Sequence, residues 1–335
     1  MRARLPLGAL LAIPAVAALT LSACTVSTGS ESGAPAASAP AHPVKKIVFD
    51  FPYTALPIYT TMSRYTKEEA AARGIEIEFT NDNMDLNRQI SNLTTYATRK
   101  DVDAVISFAM DPNAVGSIVR QYRDNGKYFI SYGGDIPGQD ASIQFSFTKA
   151  GDMLAESAGG WISRTLHGKA KVLVLKDESN QIGKERTQGI VDGLKKYAPE
   201  ATIVDQQQAI TPEQGLSMTS TVLAKHPDID VVLAAVGDAA QGAYQGLVAA
   251  GRPDDDPDTY VGGLDGNTPL LQSMKDGKMV RGLVSVKPRE MAKAVVDVPV
   301  GLGEGNASVK DYNAPVYLIT KESPDLDEWI KAGSE

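Results

Sequence analysis

At 335 residues, 43% hydrophobic and 22% charged, the chain has the composition of a soluble globular protein and the length for two domains of about 150 residues each. Its net charge of −8, with no basic stripe, argues against nucleic acid and anionic membrane as partners. The lone cysteine, Cys24, excludes an internal disulfide, and His42, His167 and His226 are too scattered to suggest a metal cluster or a catalytic triad.

In chain order, the first segment has the anatomy of an export signal. Arg2 and Arg4 give a positive start, Leu5 to Thr20 is apolar but shorter than the roughly 20 residues that span a bilayer, and Leu21-Ser22-Ala23-Cys24 places small residues before the cysteine. These last four residues resemble a bacterial lipobox, in which the Cys24 thiol receives a diacylglyceryl group and becomes residue one after cleavage. Loss of Arg2 and Arg4 takes the net charge from −8 to −10. Two acyl chains hold a protein stably on a membrane where one is marginal, so the expected location is the outer face of the cell membrane, or its periplasmic side. Residues 25–43, built of Ser, Thr, Gly, Ala and Pro, cannot offset ordering entropy and read as a disordered tether.

From Lys45 onward, short β-branched runs alternate with helical stretches. Strands are expected at 46–50, 75–80, 104–108, 128–132, 171–175, 202–206, 231–235, 259–263 and 279–285. Helices are expected at 57–73, 86–100, 113–125, 150–166, 183–196, 212–225, 239–250 and 289–298. Runs such as Lys171-Val-Leu-Val-Leu175 are apolar on both faces, as parallel strands covered by helices must be. The order implies an α/β fold of doubly wound parallel sheets, and nine such units suit two lobes better than one sheet. Asp85, Asp111-Pro112, Thr211-Pro212-Glu213 and Asp238 stand where helix caps and first-turn residues belong. Ligands of such sheets sit beyond the carboxyl ends of the strands. The segments that follow strands are therefore the ones that matter, among them Asp50–Tyr59, Gly133–Asp135, Asp177–Arg186, Val236–Asp238 and Asp265–Asn267.

Read in order, several landmarks make the body similar to the sugar-type periplasmic binding proteins, the ribose-binding group of the type I fold. They are Pro57-Ile58-Tyr59, Ser107-Phe-Ala-Met-Asp-Pro-Asn-Ala114, Gly183-Lys-Glu-Arg-Thr-Gln-Gly189, His226-Pro227-Asp228 and Gly263-Leu-Asp-Gly266. The resemblance runs from about Lys45 to Lys321. It implies two lobes joined by three crossings near Ser146, Lys287 and Val316, with residues 44–146 plus 287–315 in one lobe and 147–286 plus 316–335 in the other. It also implies a solute held in the cleft between them, no catalysis, no cofactor, a monomer, and ABC permease subunits as partners.

Under the same resemblance Arg186 grips hydroxyls, Asp265 accepts from them, and Tyr59 stacks on a ring, with Tyr53 as a further aromatic. The family's Asp-Arg clamp is replaced by Gly133-Gly134, with Asp135 one place on. Its asparagine before Asp238 becomes Gly237, and its late glutamine becomes Val286. These changes argue against a simple aldopentose and leave another sugar, a polyol or another small polar molecule. From the residues themselves, Arg186 offers five fixed donors and Asp265 two acceptors, though Asp265 before Gly266 also suits a turn. Asp111 and Asp238 read first as helix starts and only second as ligand contacts. No Gly-x-Ser-x-Gly, His-Glu-x-x-His or phosphate loop is present. The alternatives are a sensory receptor component, or a nucleoside-binding lipoprotein, whose purine would want two aromatic faces.

Overall fold

The computed structural model describes residues 41–52, 54 and 57–334. The expected signal, Cys24 and most of the tether lie outside these residues, as does Tyr53.

The first half of the fold runs β1 (Lys46–Phe51), α1 (Pro57–Ala72), β2 (Glu76–Asn81), α2 (Leu86–Thr98), β3 (Ala104–Ser107), α3 (Pro112–Asp124), β4 (Tyr128–Tyr132) and β5 (Ala141–Gln144). The second half continues with α4 (Phe147–Thr165), β6 (Lys171–Lys176), α5 (Gln181–Tyr197), β7 (Thr202–Gln208), α6 (Pro212–Leu223), β8 (Val231–Ala234), α7 (Gly237–Ala249), β9 (Tyr260–Leu264), α8 (Thr268–Lys275) and β10 (Val280–Ser285). The chain closes with α9 (Pro288–Gly303), β11 (Asp311–Asn313), β12 (Tyr317–Ile319) and α10 (Leu326–Ser334).

Two six-stranded sheets result, ordered β11-β5-β4-β3-β1-β2 and β12-β10-β9-β8-β6-β7. Every pairing is parallel except β10 with β12. Each lobe is therefore a doubly wound sheet, and three segments pass between them: after β5, after β10 and after β11.

Side-chain alternation along the strands explains the layers. In β1, Ile47 and Phe49 pack with Met62 of α1 and Val295 of α9, while Val48 faces Leu93 of α2 and Val119 of α3. In β6, Leu173 and Leu175 face Ala240 of α7, and Val172 and Val174 face Leu154 of α4 and Ile190 of α5. Helix α9 thus belongs to the first lobe, although the second lobe lies between the two in sequence.

Cap chemistry fixes where the helices begin. Asp85 accepts from the backbone N–H of Arg88, Asp111 from Asn113 and Ala114, and Thr211 from Gln214. Asp238 differs from the expectation. The cap position of α7 is Val236, with no side-chain cap bond, and Asp238 stands inside the first turn, where its negative charge suits the helix dipole. The short strands β5, β11 and β12 and the terminal helix α10 were not apparent from the periodicity.

Candidate functional site

The carboxyl ends of the strands carry the chemistry. Arg186 projects from the second turn of α5, and Asp265 follows β9. Arg186 Nη1 donates to Asp265 Oδ2 at 2.6 Å and to the carbonyl of Ala235 at 3.4 Å. The guanidinium carbon lies 5.4 Å from the ring centroid of Phe147, the first residue of α4. The Arg186 side chain is 12% exposed and that of Asp265 31%, so the aspartate presents the more open edge of the pair. Arg186 Nε is buried without a hydrogen-bond partner among the described residues.

Asp265 holds a left-handed backbone at φ +65°, a conformation that costs most residues energy and that aspartate tolerates better than most. The turn brings its carbonyl hard against Gly237, where a Cβ would collide with it. Only glycine fits this approach. One turn on, Asn267 caps α8 and donates to Asp238 Oδ1 at 2.8 Å and to Gln241 Oε1 at 2.6 Å. The loops after β8 and β9 are thereby stitched together, and Asp238 is drawn towards the segment that bears Asp265.

The first lobe presents aromatic rings here. Tyr132, at the end of β4, is buried and feels the charges of Asp265 and Arg186 from the other lobe; its hydroxyl is pushed up mainly by burial. Phe51 and Phe108 stack with centroids 5.2 Å apart, and Phe108 lies 6.1 Å from Tyr132. A Cβ on Gly133 would stand 2.6 Å from Phe108 Cε2 and 3.6 Å from Cδ1 of Ile182, which belongs to the second lobe. The two lobes meet at this point.

The remaining expected residues are dispersed. Tyr59 is 5% exposed and packs against Phe49, Phe51 and Phe79, with its hydroxyl buried and without a hydrogen-bond partner among the described residues. A cavity of about 280 Å³ beside it is lined by first-lobe residues alone, including Ser63, Lys67 and Asn81. Asp135 is exposed and accepts from Gln139 at 2.8 Å and Gln144 at 2.5 Å. Asp111 is exposed and capped onto α3.

Beneath the first lobe's loops lies a network that joins Asp50, at the head of one of the expected post-strand segments, to residues no expectation placed beside it. Asp50 and Asp82 are both fully buried, and Gln89 Nε2 donates to both at 2.9 and 3.0 Å. Thr80 and Ser107 also donate to Asp50, and Asn92 donates to Asp82. Gln89 in addition donates to the carbonyl of Phe108 and accepts from the N–H of Met110, so the acid pair sets the course of the loop that carries Phe108. Among the described residues no three His, Cys, Asp or Glu side chains are placed to hold a metal, and no helix is long and apolar enough to cross a membrane.

The family profile described as "Periplasmic binding protein domain" matches residues 47–307. The chain belongs to the periplasmic binding protein family. The fold of this binding protein is that of the sugar-type, ribose-binding-like group. The ribose import binding protein of Bacillus subtilis is 24% identical over 268 residues, 79% of this chain and 84% of that one. An ABC transporter periplasmic-binding protein of Escherichia coli is 22% identical over 81% of this chain and 84% of its own length. The solved Caulobacter myo-inositol binding protein, bound to myo-inositol, superposes with a TM-score of 0.74 at 25% identity, over 87% of this chain and 97% of that one. A solute binding protein of Actinobacillus succinogenes with bound D-allose gives a TM-score of 0.75 at 19% identity, over 83% of this chain and 98% of that chain, a likeness of fold. The family and these relatives are described as binding proteins, not as enzymes.

Proposed function

We propose that this chain is the solute-binding lipoprotein of an ABC import system, capturing a sugar or similar small polar molecule between its lobes. The observation that carries the reading is the Arg186–Asp265 pair, set on the second lobe at the carboxyl ends of its strands and near enough to Tyr132 of the first lobe for both charges to act on it. Arginine supplies donors in a fixed fork and aspartate supplies acceptors, which together match the alternating donor and acceptor character of adjacent hydroxyls. Closure of two lobes on a guest gives a permease a distinct shape to read, and the exported, monomeric body would be tethered through Cys24.

Thermal-shift screening of the purified body against sugars, polyols, nucleosides and amino acids tests the reading, since a ligand that favours the native state raises the melting point. With the best ligand so found, Arg186→Ala should weaken binding by about 1.5–3 kcal/mol in calorimetry, the range for hydrogen bonds to a charged group. Unchanged affinity would remove Arg186 from the site. Cys24→Ser should release the body from membranes; retention without an acyl label would overturn the anchor.

A further inference from the structure

The buried acid pair of the first lobe has one hydrogen too few. Gln89 Nε2 stands 2.9 Å from Asp50 Oδ2, 3.0 Å from Asp82 Oδ2 and 3.1 Å from the carbonyl oxygen of Phe108. An amide nitrogen carries two hydrogens, so three acceptors crowd a donor built for two. Asp50 also acts on Asp82 through a side-chain hydrogen bond, and two carboxyls form one only with a proton between them. Both carboxyls are wholly buried, and among the described residues neither has a lysine or arginine in ion-pair contact. Two unpaired charges in such a place repel, so one carboxyl stays neutral. The groups around the pair do not supply the missing charge. Arg88 of α2 is exposed and acts on Asp82 only through its field, while Tyr59 of α1, Tyr96 of α2 and Tyr122 of α3 feel Asp50 but are phenols pushed up by burial.

We infer that Asp50 and Asp82 hold a single proton between them, and that this proton, acting through Gln89, positions the loop from Phe108 to Asp111 where the lobes meet. Gln89 is the positioning residue. Its Nε2 reaches the acids and the Phe108 carbonyl, and its Oε1 accepts from the N–H of Met110 at 3.0 Å. Loss of the proton sets two charges against each other across that one amide, and Gln89 cannot follow both carboxylates apart and keep the loop. The Phe108 ring moves with the loop, and it lies against Gly133, beside Ile182 of the second lobe. Burial first, then the charge of Asp82, pushes the Asp50 carboxyl up to about 7, which puts the change within the ordinary range of working pH. The consequence for binding rests on the reading of the cleft as a capture site. A solute that needs the ordered loop binds the protonated pair better, so capture draws a proton in and affinity falls as pH rises.

Amide NMR of the ligand-free body tests the linkage without any solute. The backbone amide of Met110 and the side-chain amide of Gln89 should shift together with a midpoint near pH 7. Asp50→Asn should abolish that shift, and Asp82→Asn makes the same test if the first variant fails to fold. A Met110 amide that stays still from pH 5 to 9, or one that titrates unchanged in the folded variants, overturns the shared proton. Calorimetry with D-ribose, D-allose and myo-inositol then reads the consequence. Affinity for whichever binds should fall about three- to ten-fold from pH 6 to pH 8.5, with proton uptake at the upper end, and should level out in Asp50→Asn; one linked proton allows at most about ten-fold per pH unit. A flat affinity beside a titrating loop would sever the proton from capture. If none of the three solutes binds at any pH, the capture reading fails for them, while the amide titration still decides the linkage.

Discussion

At the scale of single residues, Asp50 is a carboxyl held wholly out of water. Burial, with the neighbouring charge of Asp82 adding to it, pushes its carboxyl up to about 7, while the donors Ser107, Thr80 and Gln89 hold it back. Burial also raises Asp82, which Asn92 and Gln89 oppose by hydrogen bonding and Arg88 by its charge. A carboxyl raised above its unfolded value of about 4 binds its proton more tightly in the folded state, so it favours folding fully in acid. That contribution disappears as pH climbs from about 4 through about 7, at a cost of order a few kcal/mol. Chemical denaturation at pH 5 and pH 8 should therefore show the lower stability at pH 8. Asp50→Asn, which keeps the shape and removes the charge, should flatten the dependence; an equally steep profile would show that Asp50 is not its source. None of this was readable beforehand, because an aspartate near the end of a strand is indistinguishable from a loop residue until Asp82 and Gln89, 32 and 39 positions on, are folded against it. Arg186 and Asp265, by contrast, could be named from the sequence because each follows a strand within a recognisable motif. The rings of Phe108, Tyr132 and Phe147 carry nothing in the sequence that separates them from residues of the core.

At the scale of elements, helices α4 and α5 come together through glycines. A Cβ on Gly151 would lie 2.7 Å from the backbone nitrogen of Ile190, and one on Gly189 would collide with the carbonyl of Thr148. Backbone cannot swing aside as a side chain can, so Gly189→Ala forces the helices apart. Overpacking of this kind costs about 1–3 kcal/mol, against a gain in helix propensity of at most about 1 kcal/mol. Gly160 in the same helix pair is a control, since its Cβ would meet only the tip of Arg164 at 3.2 Å. Urea denaturation should therefore show Gly189→Ala destabilised and Gly160→Ala neutral or slightly more stable. Equal behaviour of the two would mean that close approach is not what the glycines supply. The position also matters for the site, because α5 carries Arg186 and its separation from α4 sets where Phe147 lies beneath it. The long strands and helices were legible because each has several periods of hydrophobic alternation to read. The strands β5, β11 and β12 have three or four residues apiece, too few to establish a period, and exist because a neighbouring strand accepts them.

At the scale of the whole molecule, the crossings carry contacts that bind one lobe to the other. Lys287, at the start of α9 in the first lobe, pairs with Asp325 ahead of α10 in the second at 2.9 Å, and its ammonium stands 5.0 Å from the Tyr317 ring. That pairing raises the Lys287 ammonium and lowers the Asp325 carboxyl. The Tyr317 hydroxyl, on β12 of the second lobe, donates to both oxygens of Glu290 on α9 at 3.0 and 3.1 Å. These are half-exposed contacts worth no more than about 1 kcal/mol each, so they cannot hold the fold together. They can, however, bias the angle between lobes, because that angle is a balance of small terms. Tyr317→Phe combined with Lys287→Ala should broaden the ligand-free ensemble and raise its radius of gyration in small-angle scattering. A saturating ligand contacts both lobes and should restore the wild-type value. The melting temperature should move little, which separates a loosened hinge from a damaged core. An unchanged ligand-free radius would mean that the three chain crossings alone fix the angle, leaving these side chains no part in closure.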